Sequence, residues 1–420
     1  MSNSYLDKIG LNALNASKDL SLLNENKKNK VLTDFYKNLK SNKKKILKAN
    51  KIDVSKANRK GLSQNLIDRL ILNDNKINHI IKSVQEVIKL KDPTKKITSK
   101  WKRPNGMIIN KYTVPIGVIG VIYESRPNVT SDVATLCFKS GNAVILRGGS
   151  EAIQTNKVIS ECFRKSLRKN NVNENSVQLI DNTDRKLVDY ILSKMERFID
   201  VIIPRGGKNL VKKVQAMSNV PTIGHLEGLC HVYIDRYADL HMAKKITLNA
   251  KMRNTSVCGA AETLLIDKAC IRTHLKPILQ LLSISGCKII GDKITKKNYT
   301  NSNFSLATEQ DWKTEYLDSS ISVKIVNGVE EAIAHINKYG TRHTDSIVTN
   351  NKKNASLFLS KVNSAIVLHN ASTQFADGNE FGFGAEVGIS TNKLHPRGPV
   401  GLEQLVTYKY LVKGNGQIRP

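Results

Sequence analysis

Cys258 is the residue of this sequence best suited to covalent chemistry. Small residues flank it, with Ser256 before it and Gly259 after it, and the aliphatic run from Glu262 to Ile266 predicts a strand directly behind. A thiol at the mouth of a strand, among small residues, lets a substrate carbonyl reach the sulfur and the surrounding backbone N–H groups. Most free cysteines are instead small buried residues, so the local pattern leaves both interpretations open.

Two turns of the same composition could bind phosphate groups. Each follows a predicted strand with an arginine and two glycines and then opens a helix: Arg147, Gly148, Gly149 and Ser150 in the first, and Arg205, Gly206, Gly207 and Lys208 in the second. Glycines let a phosphate approach the backbone, the amino end of a helix favours negative charge, and arginine can bind phosphate oxygens. Neither turn is a GxGxxG or P-loop motif, but two of them in one predicted sheet favour a nucleotide cofactor.

A polar segment follows the first strongly apolar run. Within Tyr123–Thr130, Arg126 could bind a carboxylate or a phosphate, and the amide of Asn128 could donate to an oxyanion. The alternative is that Arg126 pairs with Glu124 and that Asn128 caps the next helix. The local sequence does not decide between the two.

The cysteines and histidines argue against a metal or a disulfide framework. The six cysteines form no CxxC pairs, and the nine histidines include no HExxH motif and no tight cluster in the sequence. We therefore expect no metal site and a reducing, cytoplasmic location. The amino terminus does not have the composition of a signal peptide, and the longest apolar run, Val114–Tyr123, is about half the ~20 residues of a membrane span.

The formal net charge of +30 could indicate nucleic-acid binding. The lysines are, however, spread along the chain in short runs that are not interleaved with aromatic residues, as a single-strand platform requires. We interpret the charge mainly as solvated surface that attracts acidic metabolites, with no specific nucleic-acid partner.

The elements predict an α/β protein. Apolar residues at helical spacing indicate helices up to residue 92, and Val114–Tyr123 is continuous enough for one strand buried on both faces. From there strands and helices alternate, which indicates parallel, doubly wound sheets with ligands where strands end and helices begin. A second α/β pattern begins near Cys258. The glycine-rich stretch Asn370–Pro399 is expected to fold back over a site, and Val406–Lys413 to form a closing strand.

The chain resembles the gamma-glutamyl phosphate reductase (glutamate-5-semialdehyde dehydrogenase) family of the aldehyde dehydrogenase superfamily, from about Leu11 to Arg419. The resemblance rests on segments that occur in the family's order: Pro115–Thr130, Gly141–Gly149, Ile203–Gly207, Cys230–Asp235, Cys258 with Glu262–Leu265, Val323–Val326, Ala332–Ile336, Phe381–Glu386, Arg397–Pro399 and Gly401–Leu405. It favours the reactive interpretation of Cys258.

The resemblance implies an NADPH-dependent reduction in proline synthesis. Gamma-glutamyl phosphate would acylate Cys258, phosphate would leave, and hydride transfer to the thioester would give glutamate 5-semialdehyde. The Cys258 N–H and the Asn128 amide would hold the oxyanion, and Arg126 would contact substrate. Ser150, in the position where relatives that prefer NAD often carry a carboxylate, and Arg147 nearby would favour NADPH; Gly206 and Gly207 would face the pyrophosphate, and Glu315 the nicotinamide ribose.

The resemblance also implies an organisation. We expect a helical segment of the cofactor domain at 1–111, a Rossmann-type NADPH domain at 112–254, a catalytic domain at 255–368, and a return segment with an oligomerisation strand at 369–420. A homo-oligomer is expected, and glutamate 5-kinase is a possible partner. Oxidising relatives carry a water-activating glutamate near the position of Gly224, with Glu227 displaced from it. An oxidising semialdehyde dehydrogenase and a basic nucleic-acid binder remain as alternatives.

Overall fold

Amphipathic helices form the first part of the chain, as the spacing of its apolar residues predicts. The computed structural model describes residues 4–419. Its α-helices are α1 (Ser4–Leu22), α2 (Glu25–Ser41), α3 (Lys43–Arg59), α4 (Gln64–Leu70), α5 (Asp74–Lys89), α6 (Pro127–Lys139), α7 (Ile153–Lys169), α8 (Lys186–Lys194), α9 (Lys208–Met217), α10 (Leu240–Met252), α11 (Lys276–Ile284), α12 (Lys293–Asn298), α13 (Gly328–Tyr339) and α14 (Lys352–Lys361). None of the described helices combines the length and low polarity that crossing a bilayer needs.

Strands alternate with these helices from the middle of the chain onward. They are β1 (Ile97–Lys102), β2 (Ile108–Pro115), β3 (Val118–Tyr123), β4 (Ala143–Gly148), β5 (Val177–Leu179), β6 (Val201–Arg205), β7 (Cys230–Ile234), β8 (Ala261–Asp267), β9 (Lys288–Gly291), β10 (Phe304–Leu306), β11 (Ser320–Val326), β12 (Thr344–Val348), β13 (Ile366–His369), β14 (Gly388–Ser390), β15 (Gly398–Val400) and β16 (Val406–Lys413). The α/β class is confirmed.

The chain forms two compact units. The first contains the described residues up to Gly224, then Gly382–Gly388 and the chain from Val400 onward; the second contains His225–Phe381 and Ile389–Pro399. The division falls earlier than the predicted boundary at 254–255. The reason is that β7 pairs with β8 and β12 and so belongs to the sheet that follows Cys258. The predicted return segment is shared between the units.

The first unit contains a parallel sheet of order β5-β4-β3-β6. Every residue of β3 and β4 is buried, as expected for strands covered on both faces. Helices α2, α5, α6 and α7 contribute to its apolar core. A three-stranded sheet of order β1-β2-β16 belongs to the same unit, and the closing strand predicted at Val406–Lys413 is confirmed as β16, antiparallel to β2.

The prediction of one continuous strand over Val114–Tyr123 is wrong. The strand is interrupted at Gly117, which has φ +137° and joins β2 to β3. A Cβ at this position would lie 2.2 Å from Oδ2 of Asp200. Glycine is therefore required both by the backbone conformation and by the close approach of that carboxylate. Hydrophobicity alone does not reveal such a break.

The second unit is built on a seven-stranded sheet of order β10-β9-β11-β8-β7-β12-β13. All six pairs of neighbouring strands in this sheet are parallel. The central strand β8 is buried along its whole length. Its predicted core at Glu262–Ile266 is confirmed.

A buried ion pair fixes the ends of the segment that carries Cys258. Lys251 lies in the last turn of α10 and Glu262 is the second residue of β8. The Lys251 Nζ is 2.7 Å from Glu262 Oε2, and both side chains are fully buried. Burial raises the pKa of Glu262, and the ammonium of Lys251 opposes that rise. The pair therefore joins the two elements between which the Cys258 turn is suspended.

We expect Lys251→Ala to lower the free energy of unfolding by about 3–5 kcal/mol, because it leaves the Glu262 carboxylate buried without its partner. Urea denaturation of the purified protein measures this change. The double variant Lys251→Met, Glu262→Leu should lose much less, since it removes both charges. The exposed Lys297→Ala should stay within about 0.5 kcal/mol of the parent. Equal losses in the single and double variants would contradict the ion-pair argument.

Candidate active site

Cys258 lies in a tight turn between α10 and β8. The turn is closed by a hydrogen bond of 3.0 Å from the Ala260 N–H to the Val257 carbonyl. The cysteine is half-buried and packs against an apolar cluster of Ile366, Ala376 and Ile389. Its backbone carbonyl accepts a hydrogen bond from the Cys230 thiol, at 3.1 Å. The strand predicted behind the cysteine is therefore present, and the thiol is held at its start.

Two histidines stand beside the thiol. The side-chain ligand atoms of His225, Cys258 and His343 all lie within 4.8 Å of one another. The two imidazole rings meet edge to face with their centroids 4.8 Å apart. His343 is completely buried, whereas His225 is half-buried. The sequence does not reveal this cluster because its members are far apart along the chain.

The cluster forms at the beginning of three neighbouring parallel strands. His225 precedes β7, Cys258 precedes β8 and His343 directly precedes β12, and the sheet has the order β8-β7-β12. Parallel neighbours start at the same edge of a sheet, so the three side chains meet there. Ligands of open α/β sheets usually bind at the carboxyl ends of the strands, which is the opposite edge of the sheet. The only signal in the sequence is that a histidine precedes β7 and another precedes β12. It indicates a site only when the order of the strands in the sheet is known.

Hydrogen bonds fix the orientation of the two imidazoles. Nδ1 of His225 lies 2.8 Å from the Ile389 carbonyl oxygen, which can only accept. In the neutral ring Nδ1 therefore carries the proton and Nε2 the lone pair. Nδ1 of His343 lies 2.9 Å from the Thr344 hydroxyl. Nε2 of His343 is buried, and no hydrogen-bond partner for it occurs among the described residues.

These surroundings favour the thiolate of Cys258. Burial raises the pKa of the thiol, but His343 and His225 outweigh burial, and the pKa lies well below its ordinary value. The thiolate is the nucleophilic form of cysteine. The other five cysteines are all buried, and burial raises the pKa of each: Cys137, Cys162, Cys230, Cys270 and Cys287. Cys258 is thus chemically distinct among the six.

Gly228 and Glu315 complete the surroundings of the thiol. The Gly228 N–H donates to Oε1 of Glu315 at 2.7 Å, and a Cβ on Gly228 would lie 2.1 Å from the Cys258 carbonyl oxygen. Burial raises the pKa of Glu315, the Gly228 N–H opposes the rise, and the negative charge of Cys258 adds to it. Glu315, predicted from the resemblance to meet a ribose, therefore lies in the electrostatic neighbourhood of the cysteine.

His231 has a structural role in the core of the second unit. It is fully buried in β7, and its Nδ1 lies 2.8 Å from Oδ1 of Asp345. The same oxygen accepts from the His231 backbone N–H at 2.9 Å. The His231 imidazole is thus bound to Asp345. The histidines beside the Cys258 thiol are His225 and His343.

The first arginine–glycine turn is tightly packed by its own chain. The Arg147 guanidinium is buried and donates to the carbonyls of Gly148 and Thr183. A Cβ on Gly148 would lie 2.3 Å from Nδ2 of Asn156. Ser150 is exposed and begins the helical turn before α7. Packing against Asn156 therefore requires glycine at position 148, whether or not a ligand approaches the turn. Ser150 is the residue of the turn that faces solvent.

Glu151 follows this turn and is turned back toward its own unit. Its Oε1 accepts from both the backbone N–H and the hydroxyl of Ser125, at 2.7 and 2.8 Å. A Cβ on Gly149 would lie 2.1 Å from this same oxygen. The carboxylate is thus committed to the segment after β3, and the second glycine makes room for it.

The second turn holds a carboxylate at a helix amino end. Oε2 of Glu124 accepts from the Gly207 N–H at 2.8 Å, and Gly207 is the N-cap residue of α9. A Cβ on Gly206 would lie 2.5 Å from the same oxygen. Arg205 ends β6, and its guanidinium is 4.0 Å from Oε1 of Glu386. At the amino end of α9 a carboxylate is therefore already bound by the backbone N–H of Gly207.

The polar segment after β3 begins α6. Asn128 lies inside the first turn of that helix, where its amide donates to Oδ2 of Asp132 at 3.0 Å, so the helix-cap alternative for Asn128 is wrong. Arg126 is the N-cap residue and makes no side-chain capping bond. Both side chains are half-buried. They lie at the carboxyl end of β3, as the sequence predicts.

Comparison with known proteins identifies the family. The aldehyde dehydrogenase family model matches residues 2–285. The gamma-glutamyl phosphate reductase of Parvibaculum lavamentivorans is 49% identical over 99% of this chain and 97% of that protein. The chain belongs to the gamma-glutamyl phosphate reductase family. The crystal structure of the Thermotoga maritima gamma-glutamyl phosphate reductase, 42% identical, superimposes with a TM-score of 0.95 over 99% of this chain and all of that one.

Membership in this family makes the chain an oxidoreductase of the aldehyde dehydrogenase superfamily, whose members use NAD or NADP. The fold extends to more distant members. An acetylating aldehyde dehydrogenase from Geobacillus thermoglucosidasius, at 14% identity, superimposes with a TM-score of 0.70 over 99% of this chain and 98% of that one. The predicted aldehyde dehydrogenase-like fold is confirmed.

We expect iodoacetamide to label Cys258 selectively, with an inflection in the rate–pH profile below the usual thiol pKa of about 8.5. His343→Gln should raise that pKa, because the cationic partner of the thiolate is lost, and should lower the labelling rate at pH 7 at least about tenfold. Mass spectrometry of the labelled peptide measures both quantities. Cys258→Ala is the control and should show no fast labelling. An unchanged profile in His343→Gln would exclude this role of the imidazole.

We expect Gly228→Ala to displace the Cys258 turn, because the new methyl group overlaps the Cys258 carbonyl. The free energy of unfolding should fall by about 1–3 kcal/mol, and iodoacetamide labelling should slow. The matched control is Gly224→Ala, whose Cβ would lie at an ordinary 3.4 Å from Cγ of Pro204. Parent-like labelling and stability in Gly228→Ala would show that the loop yields without moving the thiol.

Proposed function

We propose that the chain catalyses the NADPH-dependent reduction of gamma-glutamyl phosphate to glutamate 5-semialdehyde and phosphate, the second step of proline synthesis from glutamate. The observation that carries the proposal is the half-buried Cys258 thiol beside two imidazoles that favour its ionised form. The close relatives named gamma-glutamyl phosphate reductase supply the substrate.

The chemistry begins at the sulfur of Cys258. The thiolate attacks the acyl carbon of the substrate, a carbon–sulfur bond forms, the carbon–oxygen bond to phosphate breaks, and inorganic phosphate leaves with the electron pair. A thioester remains on Cys258. Nε2 of His225 or His343 keeps the thiol proton during this step. The imidazoles also keep the sulfur ionised when it is released with the aldehyde, so the enzyme is ready for a further turnover.

Two groups are proposed to stabilise the oxyanion of the acyl carbon. They are the backbone N–H of Cys258 and the amide of Asn128, with Arg126 as a substrate contact. Loss of one such donor costs roughly 3 kcal/mol in the barrier. The role of Asn128 stays a prediction from the resemblance; its present partner is Asp132.

The proposed thioester is meant for reduction and not for hydrolysis. Glu315 is a carboxylate near Cys258. Its Oε1 accepts a hydrogen bond from the Gly228 N–H, so this oxygen is less available to take a proton from an attacking water molecule. The absence of a glutamate at Gly224, where the resemblance places the water-activating base of oxidising relatives, supports the same conclusion.

The βα turns of the first unit fit a dinucleotide with two phosphate sites. The amino end of α9 holds the Glu124 carboxylate on the Gly207 N–H, so its backbone groups are suited to an anion. We propose that Gly206 and Gly207, with Arg205, hold the pyrophosphate, and that Gly148, Gly149 and Ser150 hold the adenosine end. Glu315 remains the proposed contact of the nicotinamide ribose. When bound, the cofactor supplies a hydride to the thioester carbon.

The proposed preference for NADPH concerns the residues of the first arginine–glycine turn. The carboxylate of Glu151 accepts hydrogen bonds from Ser125, and the preceding Ser150 is exposed and uncharged. Arg147 is engaged with backbone carbonyls. Glu151, Arg185 and Asp184 all lie close enough to Arg147 to affect its pKa, so carboxylate and guanidinium charges are mixed at this turn. The proposed preference for NADPH therefore rests on the resemblance and on the uncharged Ser150.

We also propose a homo-oligomer and a cytoplasmic location. The sheet β1-β2-β16 has an exposed strand at each edge and carries the exposed aromatic side chains Trp101, Tyr408 and Tyr410. Such an edge can pair with a second copy. Glutamate 5-kinase is the proposed source of the substrate, since an acyl phosphate is made by phosphorylating a carboxylate. No specific nucleic acid is proposed as a partner.

The reverse reaction tests the proposal. With glutamate 5-semialdehyde, phosphate and NADP⁺, the purified protein should form NADPH, measured by absorbance, and the rate should depend on phosphate. Cys258→Ala should reduce the rate to background, because no thioester can form. Arg253→Lys, five residues away and retaining the charge, serves as a folded control.

The same assay separates the alternatives. NADPH formation at full rate without phosphate would identify the oxidising semialdehyde dehydrogenase. Full activity in Cys258→Ala would exclude the thioester mechanism. Tight, salt-resistant binding of DNA or RNA without cofactor binding would favour the nucleic-acid alternative.

A further inference from the structure

The side chains around the reactive thiol have the composition of a transition-metal site. One thiol and two imidazoles, from Cys258, His225 and His343, converge within 4.8 Å. Sulfur and imidazole nitrogen are the ligands that Zn²⁺ binds, and three protein ligands with an open fourth position are its usual arrangement in accessible sites. The sequence predicts no metal because the three residues are separated by long intervals; the parallel sheet brings them together.

The ring orientation is that of metal-binding histidines. A ligating imidazole typically donates its other N–H to a carbonyl, carboxylate or hydroxyl, which directs the free lone pair at the metal. Nδ1 of His225 donates to the Ile389 carbonyl, and Nδ1 of His343 contacts the Thr344 hydroxyl. A proton on Nδ1 makes Nε2 the lone-pair nitrogen of the ring. Nε2 of His343 is fully buried and has no hydrogen-bond partner among the described residues.

We propose that Zn²⁺ binds to Sγ of Cys258 and Nε2 of His225 and His343, with water in the fourth position, and reversibly blocks the nucleophile. The binding step forms two zinc–nitrogen bonds and one zinc–sulfur bond and releases the thiol proton where Cys258 is protonated. No change of oxidation state is involved. The metal occupies the lone pair that attacks the acyl carbon, so it competes with acylation.

The geometry requires only a small contraction. Zinc bonds of about 2.0–2.1 Å to nitrogen and about 2.3 Å to sulfur place tetrahedral ligand atoms roughly 3.5 Å apart. The distances between the three ligand atoms, which are at most 4.8 Å, must therefore shorten by up to about 1.3 Å. His343 is fixed in the core, but Cys258 and His225 are half-buried. Movement of these two side chains toward His343 closes the site.

Softness and charge select the metal. Thiolate and imidazole favour Zn²⁺ over Mg²⁺ or Ca²⁺, which prefer oxygen ligands. Cys258 and the two histidines supply one negative charge, so bound Zn²⁺ leaves the site with a charge of +1, close to the carboxylate of Glu315. That carboxylate further favours a cation at this position.

Cobalt substitution tests the site directly. We expect Co²⁺, added to chelator-treated protein, to give the intense visible bands of a tetrahedral ion and a sulfur-to-cobalt charge-transfer absorption, which Zn²⁺ then displaces. Cys258→Ala should lose the charge-transfer absorption. His225→Gln and His343→Gln should each weaken Zn²⁺ binding by at least about tenfold. The control His241→Gln, an exposed histidine of α10, should bind as the parent does.

Two further measurements guard against misfolded variants. Zn²⁺ should raise the melting temperature of the parent and of His241→Gln but not of Cys258→Ala, since a ligand stabilises only the fold that binds it. Zn²⁺ should inhibit the parent, EDTA should restore full activity, and Mg²⁺ should do neither.

The inhibitory consequence rests on the proposed role of Cys258 as nucleophile, whereas cobalt binding does not. Cobalt spectra without reductase activity would leave the metal site standing and refute the proposed function. Charge-transfer absorption or Zn²⁺ stabilisation that persists unchanged in Cys258→Ala, or a parent that shows neither, would overturn the metal site.

Discussion

The reactive thiol depends on three parallel strands that begin at one edge of a sheet. Each strand is preceded by one member of the cluster: β7 by His225, β8 by Cys258 and β12 by His343. A shift of one strand by one residue would move its member about 3.3 Å along the sheet and turn the adjoining side chains to the other face. The pairing of these strands, which includes a register shift between Cys230 and His231 of β7, thus sets the distance between the sulfur and the imidazoles. Chemistry at this edge is a property of the whole sheet.

The chain keeps the Cys258 turn fixed from both sides. Lys251 and Glu262 join the elements before and after it through a fully buried ion pair, and the bare backbone of Gly228 lies against the Cys258 carbonyl. A buried ion pair costs desolvation energy that its attraction only partly returns. Its value here is geometric, since it fixes where α10 ends and where β8 begins. The pair carries one positive and one negative charge, and the groups that lower the pKa of Cys258 are the two imidazoles.

The sequence predicted the elements more completely than the site. Apolar runs identified nearly all of the parallel strands, because strands buried on both faces have a continuous signal, and the motif order identified the family. Three features could not be obtained in this way. Gly117 breaks the first long run through a positive φ and a close carboxylate; the assignment of β7 to the second unit depends on pairing; and His225 and His343 approach Cys258 only through strand order. All three are long-range consequences of packing, which local composition does not encode.

The glycine turns show the same distinction at a smaller scale. The composition of the turns predicted glycines that let a ligand approach the backbone. For three of these glycines the structure shows a second reason, which is the close packing of a side chain of the same chain. Gly148, Gly149 and Gly206 make room for Asn156, Glu151 and Glu124 of the chain itself. A glycine in such a turn therefore has two explanations that are compatible, because the side chains it accommodates are those that surround the helix amino ends.

Glu124 gives the amino end of α9 a property that a bare helix end lacks. Its carboxylate already accepts the Gly207 N–H, so an arriving anion does not add to an open site but exchanges with a resident one. The Gly207 N–H has an acceptor before and after the exchange, and the favourable interaction with the helix dipole is present in both states. The free energy gained on binding is then the difference between the interactions of two anions. A ligand with more oxygens and more charge than a carboxylate is favoured, and simple carboxylic acids are not.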